Sequence, residues 1–191
     1  MGNDLRDRAG ELIRAQLADA AFDLVVQHGY DNVTTAQLAE GLGISRASLF
    51  RYLGSKEEVV VAGTLGAADL FSNECMRVVT GVQGVDRWSD LRRVVEPAVE
   101  MAEASGERMR SRLRIILQTP ALGSQLRRAR SPQIENLTSS LKAKGYQAFE
   151  ASILATTTIA VLDQCWSTWA RSDSADFRQI VDDAFTVLAN A

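Results

Sequence analysis

From Arg46 to Lys56 the chain carries Arg46, Arg51 and Lys56 and no acidic residue, and the chemistry open to such a run is anion recognition. A guanidinium at Arg46 can meet the acceptor edge of a guanine through two parallel hydrogen bonds. An ammonium at Lys56 suits a phosphate, which it approaches as a point charge. The stock for catalysis is thin. His28 is the single histidine, and its place in the last turn of a helical pattern, beside the negative end of the helix dipole, reads as capping or packing. Cys75 and Cys165 stand ninety positions apart with no CxxC spacing, so they read as buried thiols or, alternatively, as a redox switch that needs an accessible thiolate. There is no metal-ligand spacing, no glycine-rich phosphate loop and no nucleophile elbow. The chain reads as a binding protein with no cofactor and not as an enzyme.

These cations must be positioned by the elements around them. The segment Thr34 to Lys56, TTAQLAEGLGISRASLFRYLGSK, holds two short helical patterns. Leu38, Ala39 and Leu42 recur at helical spacing behind an N-cap hydroxyl from Thr34 or Thr35. Gly43 supplies a tight turn that a residue with a Cβ resists. Ser45 caps the second pattern, in which Leu49, Tyr52 and Leu53 point inward and Arg46, Ala47, Ser48, Phe50 and Arg51 point outward. This is a helix-turn-helix, whose second helix enters the DNA major groove by its N-terminal residues. Ahead of it, Ile13, Leu17, Ala20, Ala21, Leu24 and Val25 form a stripe that ends at His28 and Gly29, which predicts a long first helix. Behind it, Ser55 and Glu58 stand at the two positions of a capping box and open a fourth helix. The division that follows is a three-helix DNA-binding domain over residues 1–55 and a helical body over 56–191.

Composition agrees with an all-α chain. With 191 residues, 46% of them hydrophobic and three prolines, it can bury a substantial core, and it has neither strand-like alternation nor an apolar run that could span a bilayer. The N-terminal stretch MGNDLRDRAGELIRAQ lacks a signal-peptide core, so the expected location is the cytoplasm, with no membrane partner. A formal charge of −3 does not oppose DNA binding, because affinity depends on where the cations lie. Acidic residues gather elsewhere, at Asp19, Asp23 and Asp31.

The run AAFDLVVQHGYDNVTTAQLAEGLGISRASLFRYLGSKEEV resembles the TetR family of transcriptional regulators. Over residues 11–62 it carries Gly-Tyr after the first helix, Thr-Thr before the second, the Gly-Ile-Ser turn and the Ser-Lys-Glu entry to the fourth. That resemblance implies about nine helices and a homodimer on a palindromic double-stranded operator. It also implies a body that binds a small, largely hydrophobic effector, whose arrival releases the repressor. By motif position it implies phosphate contacts from Thr35, Tyr52 and Lys56, with Arg51 added, and base-facing positions at Arg46, Ala47 and Phe50, with Ser45 and Ala36 at the rim. Two positions depart from the family, which often has Tyr at Phe50 and Phe at Leu53. A constitutive regulator or activator without an effector is the alternative function, and a helical carrier or enzyme a more distant one.

Beyond residue 56 the periodicity predicts a long fourth helix through Val59, Val60, Leu65, Leu70, Phe71 and Met76, ending near Gly81 and Gly84. A helix follows from Trp88 to Ala104, with a kink or start at Pro97 and a break near Ser105-Gly106. Further breaks fall at Thr119-Pro120 and Pro132, the latter behind Arg127, Arg128 and Arg130, which read as a solvated helix end. Candidate pocket residues are Trp88, Met101, Met109, Leu113, Leu117, Thr157, Thr158 and Trp166, with Arg112, Arg114, Gln118 or Gln164 as polar anchors. The methionines suit an adaptable apolar effector and an arginine suits an acidic head group, so acyl-CoA, fatty acid or an aromatic compound are the candidates. FRYLGSK and RLRIILQTPAL are similar to a branch of the family common in actinobacteria, which adds to the acyl reading. The last two helices carry apolar stripes through Phe149 and Ile153 and through Phe177, Ile180, Val181, Phe185 and Leu188. These stripes read as a four-helix dimer interface or, alternatively, as closure of the intramolecular core.

Overall fold

The computed structural model describes residues 2–82 and 87–190, and every regular element among them is a helix. In chain order these are α1 (Gly2–His28), α2 (Thr35–Gly41), α3 (Arg46–Leu53), α4 (Lys56–Leu65), α5 (Leu70–Val78), α6 (Arg87–Val94), α7 (Glu96–Gln118), α8 (Pro120–Ala129), α9 (Ser131–Ala143), α10 (Ala148–Ala170) and α11 (Phe177–Ala189). That makes eleven helices among the described residues where about nine were expected. The long fourth helix is two helices, because Gly66 takes a left-handed φ of 65° and a Cβ there would lie 2.9 Å from a Leu70 methyl. The end expected near Gly84 lies outside the described residues. Pro97 falls in the first turn of α7, where its missing N–H has no intrahelical acceptor to lose. The break near Ser105 is a kink, with φ −130° and ψ 25° at that residue. No helix among the described residues is long and apolar enough to cross a membrane.

The helices sort into two compact units. One comprises the chain up to Leu65 together with Ile115–Leu126, and the other comprises Gly66–Arg114 and the chain from Arg127 onward. Helix α4, which the sequence division assigned to the body, therefore clusters with the first unit.

In the first unit α1 packs on α2, α3 and α4. Its buried residues are Ala18, Ala21, Phe22 and Val25, while Ile13 and Ala20 are exposed. The stripe read from sequence was thus rotated by about one position, and the bulk of Phe22 sets the buried face. Leu38, Leu49, Leu53, Val59, Val60 and Val61 complete the core from the other three helices.

In the second unit α9 packs on α10, α10 on α11, α11 on α6, α6 on α5, and α5 back on α9. The ring closes on one hydrophobic cluster, to which α7 adds Ala98, Val99, Ala102, Met109 and Leu113. The aromatic part of that cluster is compact. Trp166 stacks on Phe177 at 3.9 Å between centroids, and Trp169 meets Trp166 at 5.7 Å edge-on. Arg110 is only 6% exposed and its guanidinium lies 4.0 Å over the Trp169 ring. It donates to the carbonyls of Trp169 at 2.9 Å and Ala175 at 2.8 Å, and also to that of Ser172. A buried cation thereby gathers the carbonyls at the end of α10 and in the following loop, adding to the Ser172 N–H on the Trp169 carbonyl at 3.2 Å and the Trp169 indole N–H on the Ala175 carbonyl at 3.1 Å. Arg114 acts likewise on the Ala170 carbonyl at 2.8 Å.

This packing corrects the interface reading of α11. Phe177, Val181 and Phe185 are 3%, 0% and 3% exposed, and Ile180 and Leu188 pack against the same cluster. The stripe is sharp because it faces α10 and α6 within the chain; Phe177, Val181 and Phe185 are taken up by the chain's own core, while Ile180 and Leu188 are half-buried at its edge. Phe149 and Ile153 differ, at 79% and 50% exposed, and Val187 of α11 is 69% exposed. The arginine cluster near Pro132 also divides. Arg127 and Arg128 are exposed in the last turn of α8, whereas Arg130 is 3% exposed and bonded to Asp163 at 2.7 Å and Gln133 at 2.8 Å. Burial raises the Asp163 carboxyl above its ordinary value despite the Arg130 charge.

Truncating a ring in this cluster leaves a cavity that the packed helices cannot fill. Phe185→Ala should lower the unfolding free energy of the body by about 3–5 kcal/mol, read by urea denaturation with tryptophan fluorescence. A change below about 1 kcal/mol, the range of a surface substitution, would place Phe185 outside the core.

Candidate nucleic-acid interface

The helix-turn-helix is built from local bonds that the sequence dictates. Thr34 caps α2, its hydroxyl accepting from the Gln37 N–H at 3.2 Å while its own N–H donates to the Gln37 side chain at 2.9 Å. This settles the choice between Thr34 and Thr35. Gly43, with φ 66°, turns the chain out of α2, and the Ile44 N–H closes the turn on the Ala39 carbonyl at 3.0 Å. Ser45 then caps α3, accepting from the Ser48 N–H at 3.1 Å. The capping box at α4 is present, with Glu58 accepting from the Ser55 N–H at 2.8 Å and Ser55 accepting from the Glu58 N–H at 3.2 Å.

Helix α3 buries Leu49 and Leu53 and leaves Arg46, Ala47, Phe50 and Arg51 exposed. Ser45 is exposed at its start, and Tyr52 and Thr35 are half-buried. The Arg51 guanidinium lies 4.7 Å over the Tyr52 ring, which places one cation beside the helix. Five of the eight expected DNA-contacting residues, Ser45, Arg46, Ala47, Phe50 and Arg51, are therefore exposed.

Lys56 is placed differently from its expected role. Its Nζ donates to the carbonyls of Tyr30 at 2.8 Å and Val33 at 3.0 Å and sits 4.1 Å from the Tyr30 ring. Two of its three donors are thus committed to the loop between α1 and α2. The neighbouring Glu57 accepts from the Tyr30 hydroxyl at 2.8 Å. Burial pushes the Glu57 carboxyl up, but hydrogen bonds from Tyr30, its own backbone N–H and Ser55, with the Lys56 charge, outweigh it and hold the carboxyl below its ordinary value. For Tyr30, burial first and the Glu57 bond second raise the phenol well above its usual range, so it stays a donor. The Gly-Tyr and Lys-Glu pairs were visible as motif residues, but nothing local ties positions 27 apart to each other.

The pocket candidates scatter. Met109, Leu113 and Trp166 are buried in the body's hydrophobic cluster, and Trp88 and Met101 are partly buried against it. Thr157 is half-buried, and Leu117 is 40% exposed and belongs to the first unit. Thr158 is fully buried and its hydroxyl has no hydrogen-bond partner, a condition that costs about 1–3 kcal/mol unless something meets it. Among the polar anchors, Arg114 is occupied by Ala170 and Asp173, and Gln118 and Gln164 are exposed. Both cysteines are free and buried, and burial raises each thiol to about 11, far from the low-pKa thiolate of a redox switch. A cleft of about 440 Å³, lined by Leu24, His28, Asn32, Val33, Gln37, Glu40 and Gly41, lies in the first unit and contains none of the candidates. Periodicity gave no signal of it.

Residues 17–62 match the family model described as "Bacterial regulatory proteins, tetR family". MftR of Mycobacterium tuberculosis, described as a mycofactocin biosynthesis transcriptional regulator, is 25% identical over 90% of this chain and 87% of its own length. Among solved structures, Thermus thermophilus FadR in complex with lauroyl-CoA aligns over 92% of each chain with a TM-score of 0.59 and 20% identity. Bacillus subtilis FadR in complex with stearoyl-CoA aligns over 92% of this chain and 97% of its own, with a TM-score of 0.60 and 13% identity. These two alignments establish the shared fold.

The bond between Tyr30 and Glu57 sets a pH dependence. A carboxyl depressed in the folded state adds stability above its unfolded value, near 4.3, and that stability is lost as pH falls through the folded value. Tyr30→Phe should therefore cost about 1–2 kcal/mol at pH 7 and progressively less below about pH 4. Thermal melts of both proteins across the acid range test this, and a difference independent of pH would remove the assigned bond.

Proposed function

We propose that this chain, which belongs to the TetR family of bacterial transcriptional regulators, is a homodimeric repressor that leaves a palindromic operator when a long acyl compound enters its helical body. The observation that carries the DNA-reading half is the exposed face of α3, where Arg46, Ala47, Phe50 and Arg51 stand clear of a buried Leu49–Leu53 side and a capped N-terminus. Arg46, in the first turn, reads a guanine edge. Ser45, Thr35 and Tyr52 flank it toward the phosphates, while the bonds on Lys56 make that residue a clamp first and a phosphate contact only through its remaining donor. The cell compartment that follows is the cytoplasm, where operator DNA is available.

A two-fold assembly is required because two half-sites need two recognition helices, set about 34–36 Å apart in successive major grooves. With Phe177, Val181 and Phe185 in the core, the face that supports dimerisation is the outward side of α10, where Phe149 and Ile153 lie 79% and 50% exposed. The acyl reading draws on the methionines of the body, on the unpartnered Thr158 hydroxyl and on the acyl-CoA complexes of the two FadR proteins. Ligand then favours a conformation in which the paired recognition helices no longer match successive grooves, and the operator is released by population shift.

Selection of bound duplexes from a random library, followed by challenge with lauroyl-CoA, tests both halves. Arg46→Ala should lose about 1–3 kcal/mol of operator affinity and relax preference at one base pair per half-site. A variant with unchanged affinity and preference removes Arg46 from the groove. Lauroyl-CoA at a hundredfold excess over its dissociation constant should stabilise the protein by about 2.7 kcal/mol. Thr158→Val should raise the stability of the free protein and weaken that shift, since it deletes a buried unpartnered hydroxyl. Operator binding with no thermal response to any acyl-CoA or fatty acid would favour the constitutive alternative.

A further inference from the structure

We infer that Phe50 reads the C5 methyl group of a thymine in each operator half-site. The inference rests on the operator-reading role of α3 and assigns one base within it. At about 100° per residue the exposed residues Arg46, Phe50, Ala47 and Arg51 span an arc of about 140°, with Phe50 between Arg46 and Ala47. Phe50 is 54% exposed, and the inward side of the helix is already filled by Leu49 and Leu53. Its ring is thus held outward by the same periodicity that buries those leucines, at the middle of the surface that faces the groove.

The occupant follows from chemistry. The surface bears two guanidinium residues, and the stretch from Arg46 to Lys56 has no acidic residue, so its complement is a polyanion. A lipid surface would call for several large apolar residues on the arc, and Phe50 stands there alone. In the major groove each base pair presents hydrogen-bond donors and acceptors, and the one apolar group among the standard bases is the thymine methyl. A phenyl ring has no hydrogen-bonding atom. Placed against a guanine or cytosine edge it would strip water from polar groups and return nothing, whereas against a thymine methyl both partners leave water favourably.

The test uses the full-length protein and its selected operator. Each thymine is replaced in turn by deoxyuridine, which removes the methyl and keeps every hydrogen bond of the pair. Affinity should fall about fourfold for each contacted methyl lost, at the same position in both half-sites. Phe50→Ala should bind thymine and deoxyuridine operators equally, and Phe50→Leu should keep the discrimination. Since Phe50 is exposed, circular dichroism should show both variants folded. If no duplex is recovered from the library, the operator reading fails and takes this inference with it. An operator bound equally well with every thymine replaced overturns the methyl reading alone. Discrimination that persists in folded Phe50→Ala overturns the assignment to Phe50.

Discussion

The Lys56 ammonium, shared between the carbonyls of Tyr30 and Val33 and seated over the Tyr30 ring, is the constraint on which the DNA-reading surface depends. Recognition by a helix needs its first turn held to a fraction of an ångström, because bidentate contacts to base edges tolerate little misplacement. Caps at Thr34, Ser45 and Ser55 set where α2, α3 and α4 begin, but they leave the angles between helices open. Lys56 and Glu57 close that freedom by reaching from the start of α4 to the end of the loop behind α1. The burial of Leu38, Leu49 and Val59 then fills the space so defined. The exposed arc of α3 is the product of both.

The body solves a different problem, the carbonyls left over where a long helix ends. Arg110 and Arg114 meet those of α10 and its following loop, and the stacked Trp166 and Phe177 lie against the same place. Glu96 receives both Arg92 at 2.8 Å and Arg178 at 2.6 Å, so α6, α7 and α11 are joined by charge where they are also joined by packing. Buried or half-buried pairs of this sort gain little over an apolar replacement, yet they fix which helix faces which. Within this background the Thr158 hydroxyl is fully buried and unpartnered, as is the Asp90 Oδ2 atom.

The distribution of apolar residues carries the functional division. Rings that fill space, Phe22, Phe71, Phe177 and Phe185, are buried, and rings that stand out, Phe50 and Phe149, lie on the faces proposed for DNA and for a second copy. An exposed phenylalanine is tolerated anywhere once. Two of them, each on the outward side of a helix whose inward side is full, are the rings that the proposed operator and dimer surfaces would cover.

What the sequence by itself determined is local. Capping residues act on N–H groups two or three positions away, and a glycine or proline acts on its own backbone, so helix starts at Thr34, Ser45 and Ser55, the turn at Gly43 and an irregularity at Pro97 and at Ser105 were legible, while the structure chose a start for the first and a kink in place of a break for the second. The helical class followed from period alone, as did four of the five outward residues of α3, Ser48 being half-buried. Tertiary structure decided everything that needed a partner. A stripe such as Phe177–Phe185 states that a face is buried, and only the ring of α5, α6, α9, α10 and α11 states against what. The same holds for Arg130, buried on Asp163 although its neighbours Arg127 and Arg128 are exposed. Lys56 belongs with them, since a long flexible cation takes whichever acceptors the fold brings within reach, and those acceptors lie 23 and 26 residues away along the chain.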